Sequence, residues 1–228
     1  MSDPQNMSDL QNMSDLQNMS DPRNKADLNF SRGDKDLLLH VCCGPCAEWP
    51  VRSLLDEGYS LTAFFSNPNI HPQFEHTRRR DNAAALMKMR GIPFLEDDSY
   101  MEEIWLAQTW EGQYSSRCEM CYDIRMKNVA LEAKRLGFRS FSTTLLVSPY
   151  QNHEAIIAHA RKASAQTGVE FVYRDFRPGF RDGQNMARED GLYRQKYCGC
   201  IFSLEESEFR DKIYKSFAGS EGETSTVL

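Results

Sequence analysis

The chain has 228 residues, 40% of them hydrophobic and 26% charged, with a formal net charge of −6. These proportions exclude a wholly disordered or fibrous protein and leave one α/β-sized domain with appendages as the expectation. No apolar run approaches the roughly 20 residues of a membrane span, and no apolar stretch with a small-residue cleavage site opens the chain, so a cytoplasmic protein without a membrane partner is expected.

Residues 1–24 are four copies of a hexad: MSDPQN, MSDLQN, MSDLQN and MSDPRN. Such copies carry too few large aliphatic side chains to stack a core, so residues 1–36 are expected to be a disordered low-complexity tail, and 218–228 a second one. The tails hold net charges of −3 and −2, which leaves the single α/β domain at 37–217 near neutral at −1. Any nucleic-acid binding must then come from local patches rather than from bulk charge.

Within that body, strands and helices alternate. Leu37–Cys42 reads as a buried strand, Pro45–Glu57 as a helix closed by Gly58, and Leu61–Ser66 as a second strand. Next come a helix over His71–Arg90 ended by Gly91, a short strand at Pro93–Glu96, and a helix over Met101–Trp110. Tyr122, Met126, Val129, Ala133 and Leu136 then mark one apolar helical face, closed by Gly137. A strand at Ser140–Leu145, a helix at Ala155–Ala165 and a strand at Val169–Phe176 complete the pattern, with loop and helix through about Phe217. Alternation of this kind predicts a three-layer α/β fold, a parallel sheet covered by helices on both faces, with ligands beyond the carboxyl ends of its strands.

The seven cysteines fall into three tight groups, Cys42/Cys43/Cys46, Cys118/Cys121 and Cys198/Cys200. In a reducing compartment such grouping points to metal or redox chemistry rather than to structural disulfides. The first group lies at a strand-to-helix turn, where a helix N-terminus lowers thiol pKa and favours thiolate ligands. Cys118-x-x-Cys121 suits half a zinc knuckle or a redox pair, and Cys198-Gly199-Cys200 suits a shared metal or a reducible disulfide. One structural zinc would use four thiolates and leave three without a role, whereas a four-iron cluster would leave three for a second, open metal. Zinc with bystander cysteines remains the plainer alternative.

Four segments, LLLHVCCGPC (37–46), RCEMCYDIRM (117–126), TTLLVSPYQN (143–152) and QKYCGC (195–200), occur in the order and at the separations of one family. The chain resembles the cobalamin-independent epoxyqueuosine reductases of the QueH type over about residues 37–215. The resemblance implies a nucleotide-hydrolase-like (HUP, Rossmann-like) α/β fold and an oxidoreductase that acts last in queuosine synthesis, removing the epoxide oxygen of epoxyqueuosine in tRNA. It implies a 4Fe-4S cluster beside a mononuclear iron or a redox-active cysteine pair, with an external electron donor, no cobalamin and no ATP. Residue by residue, it makes Cys118 and Cys121 cluster ligands, joined by Cys42 and one of Cys43 or Cys46, and gives Cys198 and Cys200 to the second centre. One division places Cys42, Cys46, Cys118 and Cys121 on the cluster and Cys43, Cys198 and Cys200 on the iron as the catalytic set. The other places Cys42 and Cys43 on the cluster and makes Cys198–Cys200 a redox disulfide.

His40, Tyr150 and Asp123 lie near these motifs as proton-donor candidates, although a histidine alternating within a strand reads equally as a core residue. Tyr150 and Gln151 are candidate substrate contacts; Ser148-Pro149 also reads as a helix start. Arg78-Arg79-Arg80 and the stretch Arg174–Lys196, which includes Arg177, are candidate phosphate contacts, with Phe176, Phe180, Tyr193 and Tyr197 interleaved for base stacking. The same residues read alternatively as a solvated helix face with pairs such as Glu75–Arg79. Two other classes compete: an ATP-dependent tRNA-thiolating iron–sulfur enzyme, whose Ser-Gly-Gly-x-Asp-Ser loop is replaced here by CCGPC, and a non-enzymatic zinc-stabilised binding module.

Overall fold

Leu37, Leu38 and Leu39 have no solvent exposure, and the strand they form, β1 (Asp36–His40), is the middle of the sheet in the computed structural model, which describes residues 33–218. Consecutive apolar residues suit a strand covered on both faces. The sheet has five strands in the order β3-β2-β1-β4-β5, every neighbouring pair parallel, with β2 at Ser60–Ser66, β3 at Phe94–Asp97, β4 at Ser140–Thr143 and β5 at Glu170–Phe171.

Helix α1 (Gly44–Asp56) joins β1 to β2, and α2 (Gln73–Arg90) leads to β3. The short α3 (Glu102–Leu106) and the long α4 (Arg117–Leu136) lead back to β4, and α5 (His153–Thr167) leads to β5. Helices α6 (Phe180–Glu189), α7 (Ile201–Glu205) and α8 (Arg210–Ala218) follow. The step from β1 to β2 runs one way along the sheet and the step from β4 to β5 runs the other, so right-handed crossovers put α1 and α5 on opposite faces. Helix α1 packs with α2 and α6, and α4 packs with α5, which makes the expected three layers. The direction reverses between β1 and β4, where Leu37 pairs with Ser140 and His40 with Thr143. The crevice beyond that reversal is where open α/β sheets bind ligands.

Several boundaries differ from expectation for local reasons. β1 stops at His40 rather than Cys42, because Cys43 becomes the N-cap of α1. Cys118 and Cys121 lie inside α4: Ser116 is the N-cap, its side chain accepting from the Glu119 amide at 3.3 Å. Ser-x-x-Glu is a capping-box sequence. β4 ends at Thr143, whose hydroxyl accepts from the Leu145 amide at 3.1 Å and starts a 3-10 turn over Thr144–Val147. β5 shrinks to Glu170–Phe171, and residues 174–176 lie beyond the end of β4 in its register. The helix expected at 101–110 closes at Leu106, and Gln108 takes a φ of 54°. Asn152, accepting from the Ala155 amide at 3.1 Å, opens α5 in place of Ser148. Gly91 and Gly137 cap α2 and α4 with φ of 66° and 72°, as their sequence positions predict. No helix among the described residues is long and apolar enough to cross a membrane. The hexads and residues 219–228 lie outside the described residues, and Asp36, expected in the tail, is the first residue of β1.

Candidate metal centre

The turn after β1 is tight because α1 starts against α2. A Cβ on Gly44 would run into the Asn82 side-chain oxygen and stand 3.1 Å from its backbone oxygen, so glycine suits this close approach. The turn brings the sulfurs of Cys42, Cys43 and Cys46 within 4.8 Å of one another, with Cys42 and Cys43 at 3.8 Å. From β4 across the crevice, the Thr144 hydroxyl accepts from the Cys42 amide at 3.2 Å and donates to its sulfur at 3.4 Å. Gln195 donates its amide to the Cys46 sulfur at 3.3 Å. Hydrogen bonds from Cys43 and Cys46, and then the Arg125 charge and Thr144, hold the Cys42 thiol well below its ordinary range. Cys43 is pushed up by burial and Cys46 by its hydrogen bonds to the other two thiols, so Cys42 is the thiol of this group that ionises first.

Cys118 and Cys121, three apart on the first turns of α4, face the same way. They line one small cavity with Cys198, Cys200, Asn69, Trp105, Tyr122 and Gln151. Burial pushes Cys121 up to about 12 against the lowering effect of Arg125, and it raises Cys118 with help from the charges of Cys198 and Cys200. Gln151 donates to the Cys198 sulfur at 3.4 Å while its oxygen accepts from the Tyr122 hydroxyl at 2.7 Å, which fixes the amide's orientation. Asn69 Oδ1 and Trp105 Nε1 are buried in this wall without a protein partner.

The Cys198–Cys200 segment has no regular secondary structure and is held by side chains. Arg79, buried on α2, donates to the carbonyls of Cys198 at 2.8 Å and Tyr197 at 3.1 Å, and pairs with Glu75 at 2.7 Å. The Gly199 carbonyl accepts from the His71 amide at 2.8 Å, and the His71 ring accepts from the Ile201 amide at 3.2 Å. Tyr197 donates its hydroxyl to the His71 carbonyl. Between the two groups of thiols stands Arg125, four residues after Cys121. Its guanidinium donates to the Cys121 sulfur at 3.7 Å, to Asn67 Oδ1 at 2.7 Å and to His40 Nε2 at 3.4 Å.

The donor types suit a soft metal: Cys42, Cys43 and Cys46 come together with no carboxylate among them, and no carboxylate lines the cavity of the other four thiols. The 3.8 Å between the Cys42 and Cys43 sulfurs matches the spacing of about 3.8 Å that bonds of about 2.3 Å impose on two thiolates of one tetrahedral ion. Two thiol groupings result: Cys42, Cys43 and Cys46 at the turn after β1, and Cys118, Cys121, Cys198 and Cys200 around the cavity, with Arg125 within electrostatic reach of Cys42, Cys121 and Cys198.

The other candidates separate on burial. His40 is a core residue, its Nδ1 bonded to the Thr143 hydroxyl at 2.9 Å and its pKa lowered to about 3 by burial and then by Arg125. Asp123 is engaged by Tyr114, His159 and Lys162. Arg79 is no phosphate contact and no part of a solvated face, because both it and Glu75 are buried. Arg80 is taken up by Asp81, Glu96 and Asp98, and Arg177 pairs with Asp175 at 2.7 Å. Arg78 lies over the Tyr193 ring at 3.6 Å. Phe176 and Tyr197 are buried and unavailable for base stacking, whereas Tyr150 is 85% exposed and meets Phe180 edge-on at 5.9 Å. Sequence reasoning missed Arg125, Thr144, Gln195, Asn69 and Trp105. Only Arg125 carried a signal, as a charged residue next to the apolar positions Tyr122 and Met126 of an otherwise apolar face.

A family model for epoxyqueuosine reductase QueH matches residues 37–206. The chain is 33% identical over 171 residues to the epoxyqueuosine reductase QueH of Dehalococcoides mccartyi, covering 75% of this chain and 93% of that protein. It is 35% identical over 178 residues to the Thermotoga maritima protein of the same name, covering 75% and 91%. Both names denote oxidoreductases. Among solved structures, the U34-tRNA thiolase NcsA from Methanococcus maripaludis with its [4Fe-4S] cluster aligns at a TM-score of 0.44 and 15% identity, covering 83% of this chain and 68% of that one. By the family match over three quarters of its length, and by relatives spanned almost end to end, the chain belongs to the epoxyqueuosine reductase QueH family.

Proposed function

We propose that this protein reduces epoxyqueuosine to queuosine in tRNA, a step in which two electrons and two protons remove the epoxide oxygen as water. The observation that carries the reading is the gathering of the seven cysteines into two groupings, Cys42/Cys43/Cys46 at the turn after β1 and Cys118/Cys121/Cys198/Cys200 around one cavity, with Arg125 in electrostatic reach of both. In this reading Cys118, Cys121, Cys42 and one of Cys43 or Cys46 hold a 4Fe-4S cluster. Cys198 and Cys200 serve the second centre, as ligands of a mononuclear iron together with Cys43 or as a redox-active pair. Arg125 supports the grouping of Cys42 with Cys121, since its charge acts on both. When bound, the metal groups supply electrons from an external donor and electrophilic help for opening the C–O bond.

The chain's own residues bind, orient and shield. Asn69 and Trp105 offer an acceptor and a donor, both unpartnered, in the cavity wall. Gln151 lines the cavity, and its neighbour Tyr150, 85% exposed, is free to stack on an RNA base. Arg78 and Arg177 serve the RNA backbone, Arg177 by exchanging Asp175 for phosphate.

The cavity lined by Cys118, Cys121, Cys198 and Cys200 favours a second division, with those four as the cluster set. One experiment separates them. Anaerobically purified protein is expected to hold about five iron and four sulfide per chain, or about four of each if Cys198 and Cys200 form a redox pair. It is expected to turn over epoxyqueuosine tRNA with a strong reductant and neither ATP nor cobalamin. Cys198→Ala should abolish turnover yet keep most of the cluster absorbance; loss of the cluster as complete as in Cys121→Ala would install the second division. Zinc without sulfide, and no turnover, would overturn the function.

A further inference from the structure

Two arginines are buried near the thiols, and they are neutralised differently. Arg79 has Glu75 at 2.7 Å. Arg125 is 4% exposed, and among the described residues no carboxylate lies within 4.0 Å of it. Its close oxygen and nitrogen partners, Asn67 Oδ1 and His40 Nε2, are neutral acceptors. His40 Nε2 lies near both Arg125 Nε at 3.4 Å and the Ser66 carbonyl at 3.3 Å. Because arginine keeps its protons, that nitrogen is the acceptor and the ring proton sits on Nδ1, bonded to Thr143. Neutral groups solvate the guanidinium without cancelling its charge, and a buried charge without a counter-charge is costly. What remains facing Arg125 is sulfur: Cys121 at 3.7 Å, with Cys42 and Cys198 close enough for their charges to act on it.

We infer that Arg125 is the fixed counter-charge of the thiolate set, a positioning residue that ties the Cys42 turn to helix α4 and lowers the cost of gathering thiolates around a metal. The inference rests on the reading that these thiols hold a metal group. It assigns the guanidinium a role that Asn67 and His40 prepare: they aim it at the sulfurs and leave its charge for them. With protonated thiols the charge stands unbalanced; once the thiols give up their protons to a metal, it is neutralised. Since adding an electron to the site adds negative charge beside Arg125, the same residue raises the reduction potential of a cluster held there.

The test compares Arg125→Lys, which keeps the charge, with Arg125→Gln, which keeps an N–H donor for Asn67 and loses the charge. The quantity read is the rise in melting temperature on loading, measured anaerobically with ferrous iron and sulfide and separately with zinc alone. The wild type and Arg125→Lys should gain most. Arg125→Gln should gain clearly less and should release metal to a chelator with an affinity lower on the order of tenfold, as for lost outer partners of metal ligands. In the iron-loaded protein Arg125→Gln should also shift the cluster potential to more negative values. A purely structural arginine would lower the melting temperature of metal-free and loaded protein equally. That result, or a lysine variant as poor as the glutamine one, would overturn the inference. The zinc arm keeps it independent of the proposed reaction: a charge effect with zinc in a protein that takes up no sulfide would sink the iron–sulfur reading and leave Arg125 in its role.

Discussion

Cys42 and Cys43 leave the sheet on β1, whose residues are hydrogen-bonded to a neighbour on either side, and Cys46 follows on the first turn of α1. Cys198 and Cys200 sit in a segment with no strand or helix of its own, fixed by Arg79, His71 and Tyr197. The first group is placed by the backbone of the core, so its geometry and the stability of the fold are one property. The second is placed by side chains reaching from α2 and the loop before it, so its geometry can be altered with the sheet left standing. A redox or open metal site needs adjustable ligands more than a closed one does, which agrees with the second centre proposed for Cys198 and Cys200.

The most severe way to break that contrast is Arg79→Met. It strands the buried Glu75 carboxylate, which is left with only the Tyr193 hydroxyl, and frees two carbonyls. Removing one partner of a buried pair costs about 3–5 kcal/mol, and urea denaturation should show a loss of that size with an unchanged slope. A loss below about 1 kcal/mol would mean that the loop is held by something other than this clamp.

Next in size is acid. Burial lowers the His71 pKa to about 4, and the neutral ring accepts from Ile201 and donates to the Pro68 carbonyl at 3.0 Å. Between about pH 6.5 and 4 the unfolded chain binds the proton and the folded chain does not. Its contribution is therefore complete above that window and is lost as pH falls through it. Wild type should lose roughly 3 kcal/mol more than His71→Gln over this range in paired denaturation curves, a figure that follows from 1.36 kcal/mol per unit. Parallel pH profiles would remove His71 from the clamp.

Gly199→Ala is milder. Gly199 has φ 150°, and an added Cβ would stand 3.3 Å from Arg79 Nη1 and from Ile70 Cγ1. Strain of that kind costs about 1–3 kcal/mol. Gly91→Ala, with φ 66° and nothing within 4 Å of its Cβ, should cost only about 1 kcal/mol. Equal costs would mean that the loop gives way as freely as a helix cap.

The same contrast explains what was legible in the sequence. Leu37–Leu39, the apolar face of Tyr122, Met126, Val129 and Ala133, and the glycine caps follow from short-range rules, so the parallel α/β architecture and the end of the sheet that carries the candidate site could be reasoned from them. The end of β4 could not, because Thr143 stops the strand by accepting a hydrogen bond from the Leu145 amide, which no apolar pattern marks. The cysteines were legible as a candidate site because seven of them in three groups have few other uses, and the structure brings Cys42, Cys43 and Cys46 within 4.8 Å of one another. Arg79 was misread as a surface cation since its partners, Glu75 excepted, are carbonyls more than a hundred residues away, and carbonyls leave no trace in composition. Arg125 differs: Asn67 and His40 stand 58 and 85 residues away, and only its place beside the apolar positions of α4 marked it in the sequence.

The smallest expected effect on stability falls where the effect on substrate is expected to be large. Tyr150 is 85% exposed and touches the protein mainly through the edge of Phe180, so Tyr150→Ala should change stability by no more than about 0.5 kcal/mol. If its ring stacks on an RNA base beside Gln151, the same change should weaken tRNA binding by about 1–3 kcal/mol, the usual worth of a stacked base. The slope of affinity against salt should stay as it is, since stacking releases no counterions, whereas Arg78→Ala should reduce that slope by about 1. Binding curves at three salt concentrations thus tell the two contributions apart. A tyrosine variant with wild-type affinity would move the RNA surface away from the mouth of the cavity, and a flat salt response in the wild type would leave the arginines to the fold.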